Sequence, residues 1–267
     1  MKINSPRHLI ISWVSRLPFF KKVTKLYSKY CNVFGDFFTS TPSKEIKSFF
    51  NLPKSENDTQ LNQDIFALIV NKFTPGYFVE IGANDGFNLS NTLYLEEQFN
   101  WTGLLIEANP RYLDSLKKRR ALICNKGVAE KNGTFNFLDA GLYGGLLSSI
   151  DTTHKNKINF NKKINVECST LEEIFKENNV PSRISFLSID IEGGERQILS
   201  QACLLTNYRF TCGVVEHNFR RDDIAFYKKI LNQSNYRVIL DGKTGHDLFF
   251  VDELYDIKKI EKRDIRY

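Results

Sequence analysis

Between residues 58 and 251 the apolar positions switch repeatedly between a helical and an extended period. Ile65, Leu68, Ile69 and Phe73 recur at three and four residues, which predicts one buried helix face beginning near Asp58. "TPGY" breaks that pattern. Short apolar runs then alternate with amphipathic ones. Strands are predicted at Tyr77–Ile81, Gly103–Glu107, Ser185–Asp190 and Phe210–Glu216, and Ala121–Ala129 reads as a strand with its exit loop. Helices are predicted at Leu89–Gln98, Pro110–Arg120, Thr170–Asn178, Glu195–Leu205 and Asp222–Gln233, with Pro110 at a first helical position where its missing N–H does no harm. Thr134–Leu138 and Asn165–Cys168 are further extended pieces, flanking a polar insertion at 139–163. Tyr236–Leu240 and Asp247–Val251 read as a closing hairpin around "DGKTGH". Strands alternating with helices imply an α/β fold, doubly wound and mostly parallel, and the hairpin adds an antiparallel C-terminal strand. Ligands of such sheets sit outside the carboxyl ends of the strands, so chemistry is sought there.

The first strand runs into "GANDG", with Gly82 and Gly86 spaced G-x-x-x-G. Glycine admits a close backbone approach or positive φ. A dinucleotide turn prefers G-x-G-x-x-G and a helix N-terminus on the pyrophosphate. This turn is wider and carries Asp85, an acid that disfavours a pyrophosphate and favours a cationic amino-acid tail. S-adenosylmethionine has such a tail, a sulfonium and no phosphate. After the second strand, Glu107 stands about twenty residues beyond the glycines, where a carboxylate can accept from both ribose hydroxyls.

"DIFALIVNKFTPGYFVEIGANDGFNLSNTLYLEEQFNWTGLLIEANPRYLDSLKKRR" resembles the N-terminal half of the FkbM-type methyltransferases, and "FLSIDIEGGERQIL" resembles their second hallmark. With "GVVEHN" and "DLFFV" the resemblance extends from Thr59 to Val251. It implies a Rossmann-like, seven-stranded class I enzyme that uses S-adenosylmethionine, in a family that O-methylates sugars, glycans or polyketide-type hydroxyls. It implies cofactor contacts at Gly82, Asn84, Gly86, Glu107 and Asn109, and by position Val128 and Ala129 near the adenine. Asp85 and Asp190 complete the expected cofactor set.

Methyl transfer needs a hydroxyl aligned with the methyl, water excluded, and a base or metal to activate the oxygen. Asp190, Glu192 and Glu195 lie in "SIDIEGGE"; if the strand continues, Asp190 and Glu192 share a face. Glu195 suits either catalysis or the first turn of a helix. Glu216 and His217 end the next strand, and His246 sits in the hairpin turn. The expected catalytic residues are Asp190, His217 and Glu216. His217 is open to three roles: a base titrating near neutrality, a metal ligand, or a structural imidazole. A divalent metal, if used, would be held by Asp190, Glu216, His217 and His246, but no close H-x-H or D-x-D spacing favours one. The insertion offers glycines, Tyr143, His154 and four lysines, which suits a structural loop or a substrate lid, the lysines favouring an anionic acceptor.

Composition adds three limits. Five scattered cysteines without C-x-x-C pairs argue against a disulfide framework and a zinc ribbon, and fit a reducing cytosol. No window approaches a membrane span. Of the net charge of +6, much lies in the leader, where Lys2, Arg7, Arg16, Lys21, Lys22, Lys25 and Lys29 precede the first acid, Asp36. Interleaved with Leu9, Ile10, Trp13 and Phe19, they form a basic amphipathic segment interrupted by Pro18, suited to packing on the domain or to peripheral contact of residues 1–35 with anionic lipid at the inner face of the membrane. No nucleic-acid module is present. The chain thus divides into a leader and linker (1–56), a methyltransferase domain (57–256) and a tail (257–267). The expected function is O-methylation, by S-adenosylmethionine, of a small-molecule or glycan hydroxyl in the cytoplasm. The rivals are an NAD-type oxidoreductase and a non-catalytic scaffold docking through its leader.

Overall fold

A computed structural model describes residues 59–150, 162–239 and 245–254. The leader, the centre of the insertion and the C-terminal tail lie outside the described residues.

Helix α1 (Gln63–Val70) leads into β1 (Tyr77–Ile81), α2 (Leu93–Phe99) and β2 (Thr102–Ile106). A 3-10 turn (Pro110–Tyr112) and the single-turn α3 (Leu113–Leu116) precede β3 (Leu122–Cys124) and β4 (Gly127–Val128). Next come β5 (Gly133–Leu138), a 3-10 turn (Gly141–Tyr143), β6 (Gly145–Leu146) and β7 (Lys163–Ser169). The remainder is α4 (Leu171–Glu177), β8 (Arg183–Ile189), α5 (Glu195–Leu204), β9 (Arg209–Glu216), α6 (Arg221–Gln233), β10 (Tyr236–Ile239) and β11 (Asp247–Asp252).

The main sheet has seven strands in the order β10-β11-β9-β8-β1-β2-β3. β3, β2, β1, β8 and β9 are parallel, while β11 runs antiparallel between β9 and β10. The expected fold class therefore holds. Strand order reverses between β1 and β8, which makes their carboxyl ends the topological switch point. Helices cover both faces, so the central strands are apolar almost throughout. Val79, Ile81, Leu104 and Ile106 pack under α4, α5 and α6; Phe78 and Leu105 pack under α1 and α2.

Three expectations are corrected. Within Ala121–Ala129 the strand is only Leu122–Cys124, and the expected exit loop contains a second strand: after Asn125–Lys126, β4 joins a separate four-stranded sheet, β4-β7-β5-β6. Strand β8 ends at Ile189, and Asp190–Gly194 forms a turn instead of continuing the strand. Pro110–Arg120 is only a 3-10 turn and one helical turn, because the chain from Lys117 to Ala121 must return to the sheet edge. Among the described residues no helix is long and apolar enough to cross a membrane.

Candidate active site

The carboxyl end of β1 meets the start of the β8 turn with almost no space between them. Gly82 donates its N–H to Ile106 O at 2.9 Å, and Asp190 donates its own to Ile81 O at 3.0 Å. Gly82 has φ +88°, and a Cβ there would lie 1.7 Å from the Asp190 carbonyl oxygen. Only glycine satisfies both conditions. The crossing opens a cleft on each side, and both clefts are lined by Ile81, Gly82, Asn84, Asp190 and Glu192.

The first cleft, of about 620 Å³, extends over β2 and the second sheet. Its walls include Ile106, Tyr112, Val128, Phe137 and Leu146, with Glu107 and Asn109 among the polar groups. Glu107 is buried, yet both of its oxygens accept backbone amides: Oε2 from Asn84 N at 2.8 Å and Oε1 from Asn109 N at 2.7 Å. Burial outweighs these bonds and raises its pKa to about 7. Asn109 donates through Nδ2 to Asp139 Oδ1 at 2.9 Å, an oxygen that also receives Arg111 at 2.7 Å, which pins the rim. Lys126 lines the cleft, but its ammonium pairs with Glu177 at 2.7 Å.

The second cleft, of about 970 Å³, lies towards β9 and the hairpin turn and is lined by Glu80, Asn91, Ser188, Glu216, Asn218 and His246 among others. Glu80 shares the α2-side face of β1 with Phe78 and is buried. It is held by Ser90 Oγ at 2.9 Å, Asn91 N at 2.7 Å and Thr92 Oγ1 at 2.5 Å. Burial raises its pKa, opposed by the Arg119 charge. Arg119, itself buried, donates to Gly86 O and Ser90 Oγ and pairs with Glu96 at 3.1 Å. One guanidinium thus ties the glycine turn to α2.

Asp190, Glu192 and Glu216 bring carboxylate oxygens within 4.8 Å of one another, and so do the ligand atoms of Glu216, His246 and Asp247. Asp190 is exposed and lines both clefts. Desolvation first, then the Asp247 and Glu195 charges, raise its pKa. Glu216 is buried, and desolvation followed by the Asp190 charge raises its pKa further. The hydrogen bond between them favours protonated Glu216 as donor to ionised Asp190. Asn218 Nδ2 donates to Glu216 Oε2 at 2.8 Å.

The expected residues divide accordingly. Gly82, Asn84, Glu107, Asn109, Val128 and Asp190 line the first cleft; Asp190, Glu216 and His246 line the second. Asp85 lines neither. Its Oδ1 accepts Phe87 N and Asn88 N, each at 2.8 Å, so the carboxylate is spent inside its own turn. Gly86 packs at φ +81° against Leu116 and Arg119, away from both clefts. Ala129 is buried, bonded through its backbone to Ser169 and Gln201. His217 is also turned away: it is buried, and its Nδ1 accepts Phe219 N at 3.0 Å. Burial lowers its pKa. Glu195 accepts Ile191 N and Gly193 N at 3.0 and 2.9 Å and pairs with Arg220 at 3.1 Å, holding the turn after β8. The insertion does supply a wall, with Gly141, Gly144, Gly145, Leu146 and Ser149 on the first cleft and Tyr143 on the second. Sequence reasoning missed Glu80, Asn91, Ser188, Tyr112 and Asn218. An acid inside the apolar run "YFVEI" was the one available signal.

The family model described as Methyltransferase FkbM domain matches residues 80–238. The chain belongs to the FkbM methyltransferase family. The matched stretch, from Glu80 in β1 into β10, holds every lining residue of the first cleft and all but Gln60 and His246 of the second. Among solved structures, the FkbM chain is similar to the methyltransferase FkbM from Methylobacillus flagellatus KT, with 15% identity over 66% of this chain and a TM-score of 0.39. The match spans only 43% of the Methylobacillus chain. It is also similar to the precorrin-6y C5,15-methyltransferase from Geobacter metallireducens GS-15, at 13% identity, 74% and 90% coverage of the two chains and a TM-score of 0.38. A third likeness is the Burkholderia thailandensis 1,6-didemethyltoxoflavin-N1-methyltransferase with bound S-adenosylhomocysteine, at 10% identity, 94% and 90% coverage and a TM-score of 0.36. No curated protein sequence matches the chain.

Proposed function

We propose that this chain is an S-adenosylmethionine-dependent O-methyltransferase acting on a hydroxyl of a sugar or glycan precursor. The observation that carries the proposal is Glu107. Its carboxylate is fixed by two backbone amides in a cleft that opens, past Gly82, Asn84 and Asp190, into a second cleft floored by carboxylates. Each oxygen keeps a lone pair for a ribose hydroxyl. Val128, Ile106 and Phe137 offer apolar surface to an adenine. The carboxylates beyond Gly82 suit an ammonium and a sulfonium. They oppose a pyrophosphate, which weakens the NAD reading. The first helix after the glycines starts only at Leu93, too far along the chain to present its N-terminus to a phosphate at the turn.

When bound, S-adenosylmethionine supplies an electrophilic methyl group. The protein has to orient the acceptor, exclude water and take one proton. Ionised Asp190 reaches both clefts and is the group we assign to accept the hydroxyl proton. Protonated Glu216 donates to Asp190 and holds its carboxylate in place. Asn218 keeps Glu216 oriented. His217 has no such access. The decisive experiment is calorimetry with S-adenosylmethionine and NAD, followed by labelled-methyl transfer to a library of glycan precursors. Tight NAD binding without S-adenosylmethionine binding would overturn the proposal.

A further inference from the structure

The chain carries 37 Lys and Arg against 31 Asp and Glu, and ten of those cations with four of those acids lie in residues 1–58. That leaves 27 of each sign in residues 59–267, so the whole excess of +6 belongs to the leader and linker and the rest of the chain is formally neutral. Within the leader the segregation is sharper still, with seven cations and no acid before Asp36. A neutral remainder offers no net field to offset seven clustered cations, which repel one another where they are left unpaired. An anionic lipid surface offsets them all, at about fivefold in affinity for each cation held near it. The apolar residues between them include Trp13, Phe19 and Phe20, of the types that enter the headgroup boundary.

The point at which this segment joins the domain is fixed. Thr59 donates through Oγ1 to Asp64 Oδ1 at 2.9 Å, Gln60 Oε1 lies 2.7 Å from His246 Nε2, and Gln63 donates through Nε2 to Asp247 Oδ2 at 2.8 Å. Thr59, Gln63 and Asp247 are buried, and Gln60 lines the second cleft. The chain thus enters the domain locked to the turn before β11, at the edge of that cleft, and a surface contact made by the leader is passed to the domain there. We propose that residues 1–35 bind an anionic lipid surface and tether the domain to it through residues 36–58, with the second cleft at the root of the tether. The tether goes beyond the methyltransferase reading above and does not depend on it.

The test uses the full chain in about 0.1 M salt, with vesicles of phosphatidylcholine alone or with about 30% phosphatidylglycerol. The chain should sediment with the mixed vesicles and stay in solution with the neutral ones. Of its two tryptophans Trp101 is buried in the core, so a blue shift of fluorescence on the mixed vesicles reports Trp13. A variant carrying Lys21→Gln, Lys22→Gln, Lys25→Gln and Lys29→Gln should bind the mixed vesicles roughly a hundredfold more weakly and melt at the wild-type temperature. No sedimentation with the mixed vesicles, equal sedimentation with the neutral ones, or undiminished binding by the variant would each overturn the proposal. Sedimentation without a blue shift would also overturn it, by placing the contact elsewhere on the chain. A lowered melting temperature of the variant would assign the lysines to packing on the domain instead. Tighter binding to single-stranded RNA than to the mixed vesicles, lost in the same variant, would assign them to nucleic acid.

Discussion

Replacing Glu107 by Gln separates what this side chain costs the fold from what it gives to ligand binding. Gln matches the protonated carboxyl in shape and cannot ionise. The carboxyl titrates at 4.5 in the open and at about 7 when buried beneath Asn84 and Asn109. Below pH 4.5 both folded and unfolded chains carry the proton, so the group contributes no pH dependence. Between the two values the unfolded chain loses its proton while the folded chain retains it. The folded state is therefore destabilised by about 1.4 kcal/mol for each pH unit, reaching about 3 kcal/mol above neutrality. The Gln Nε2 cannot accept the backbone amide that one carboxyl oxygen accepts, which costs the variant about 1–3 kcal/mol at every pH. Relative to that constant offset, the variant should gain about 2–3 kcal/mol on wild type between pH 5 and pH 8. Urea unfolding followed by fluorescence of the buried Trp101 measures the difference at each pH. Above about pH 7, where the carboxylate is ionised, the variant should bind S-adenosylmethionine at least tenfold more weakly, since a charged acceptor is replaced by a neutral amide. Parallel stability curves for the two proteins from pH 5 to pH 8 would show that burial is not what sets the Glu107 proton affinity, and the reasoning would fail.

Three further perturbations test other parts of the site. Gly82→Ala should cost more than about 3 kcal/mol and abolish cofactor binding, because its Cβ would be driven into the Asp190 carbonyl at φ +88°; a thermal melt within a few degrees of wild type would contradict this. Arg119→Met should cost about 3–5 kcal/mol in urea unfolding, since it strands Glu80 and Glu96 as buried acids; loss below about 1 kcal/mol would mean the network carries no load. Asp190→Asn should lower methyl transfer by about a hundredfold or more, and His217→Ala by less than about tenfold; the reverse order in single-turnover assays would restore His217 as the base.

The parts of the protein legible in the sequence are those fixed by local chemistry. The glycine turn, the acid after β2 and the apolar strands each announce themselves within a few residues. The second sheet does not, because β4 and β6 are two-residue strands whose pairing is decided by distant register. Glu216 and His217 show the same limit on a smaller scale. Adjacent residues at a strand end point to opposite sides. The sequence names both but cannot say which faces the cleft, and the register of β11 on β9 decides it: Asp247 pairs with Glu216, and the His217 amide closes onto the His246 carbonyl. Asp85 misled for another reason. An acid two residues before a free amide can cap its own turn as readily as it can bind a cation, and here it caps.

The electrostatics of the two clefts give this arrangement a single logic. Glu107, Glu216 and Asp247 are buried carboxylates with raised proton affinities, and Asp190 is raised beside them. Each resists ionisation in the free protein. Glu80, which lines the second cleft, is raised as well, and Arg119, paired with Glu96, opposes that shift. This guanidinium sits behind the glycine turn, where it fixes the backbone. A guanidinium on the cleft side would relieve the same repulsion, but it would also neutralise the group assigned to take the acceptor proton and would repel a sulfonium. A bound cation favours the ionised forms of Asp190 and Glu216, so ligand binding and the loss of their protons are linked, and affinity for a positively charged ligand should rise with pH. An oxidoreductase holding a pyrophosphate would require the opposite placement.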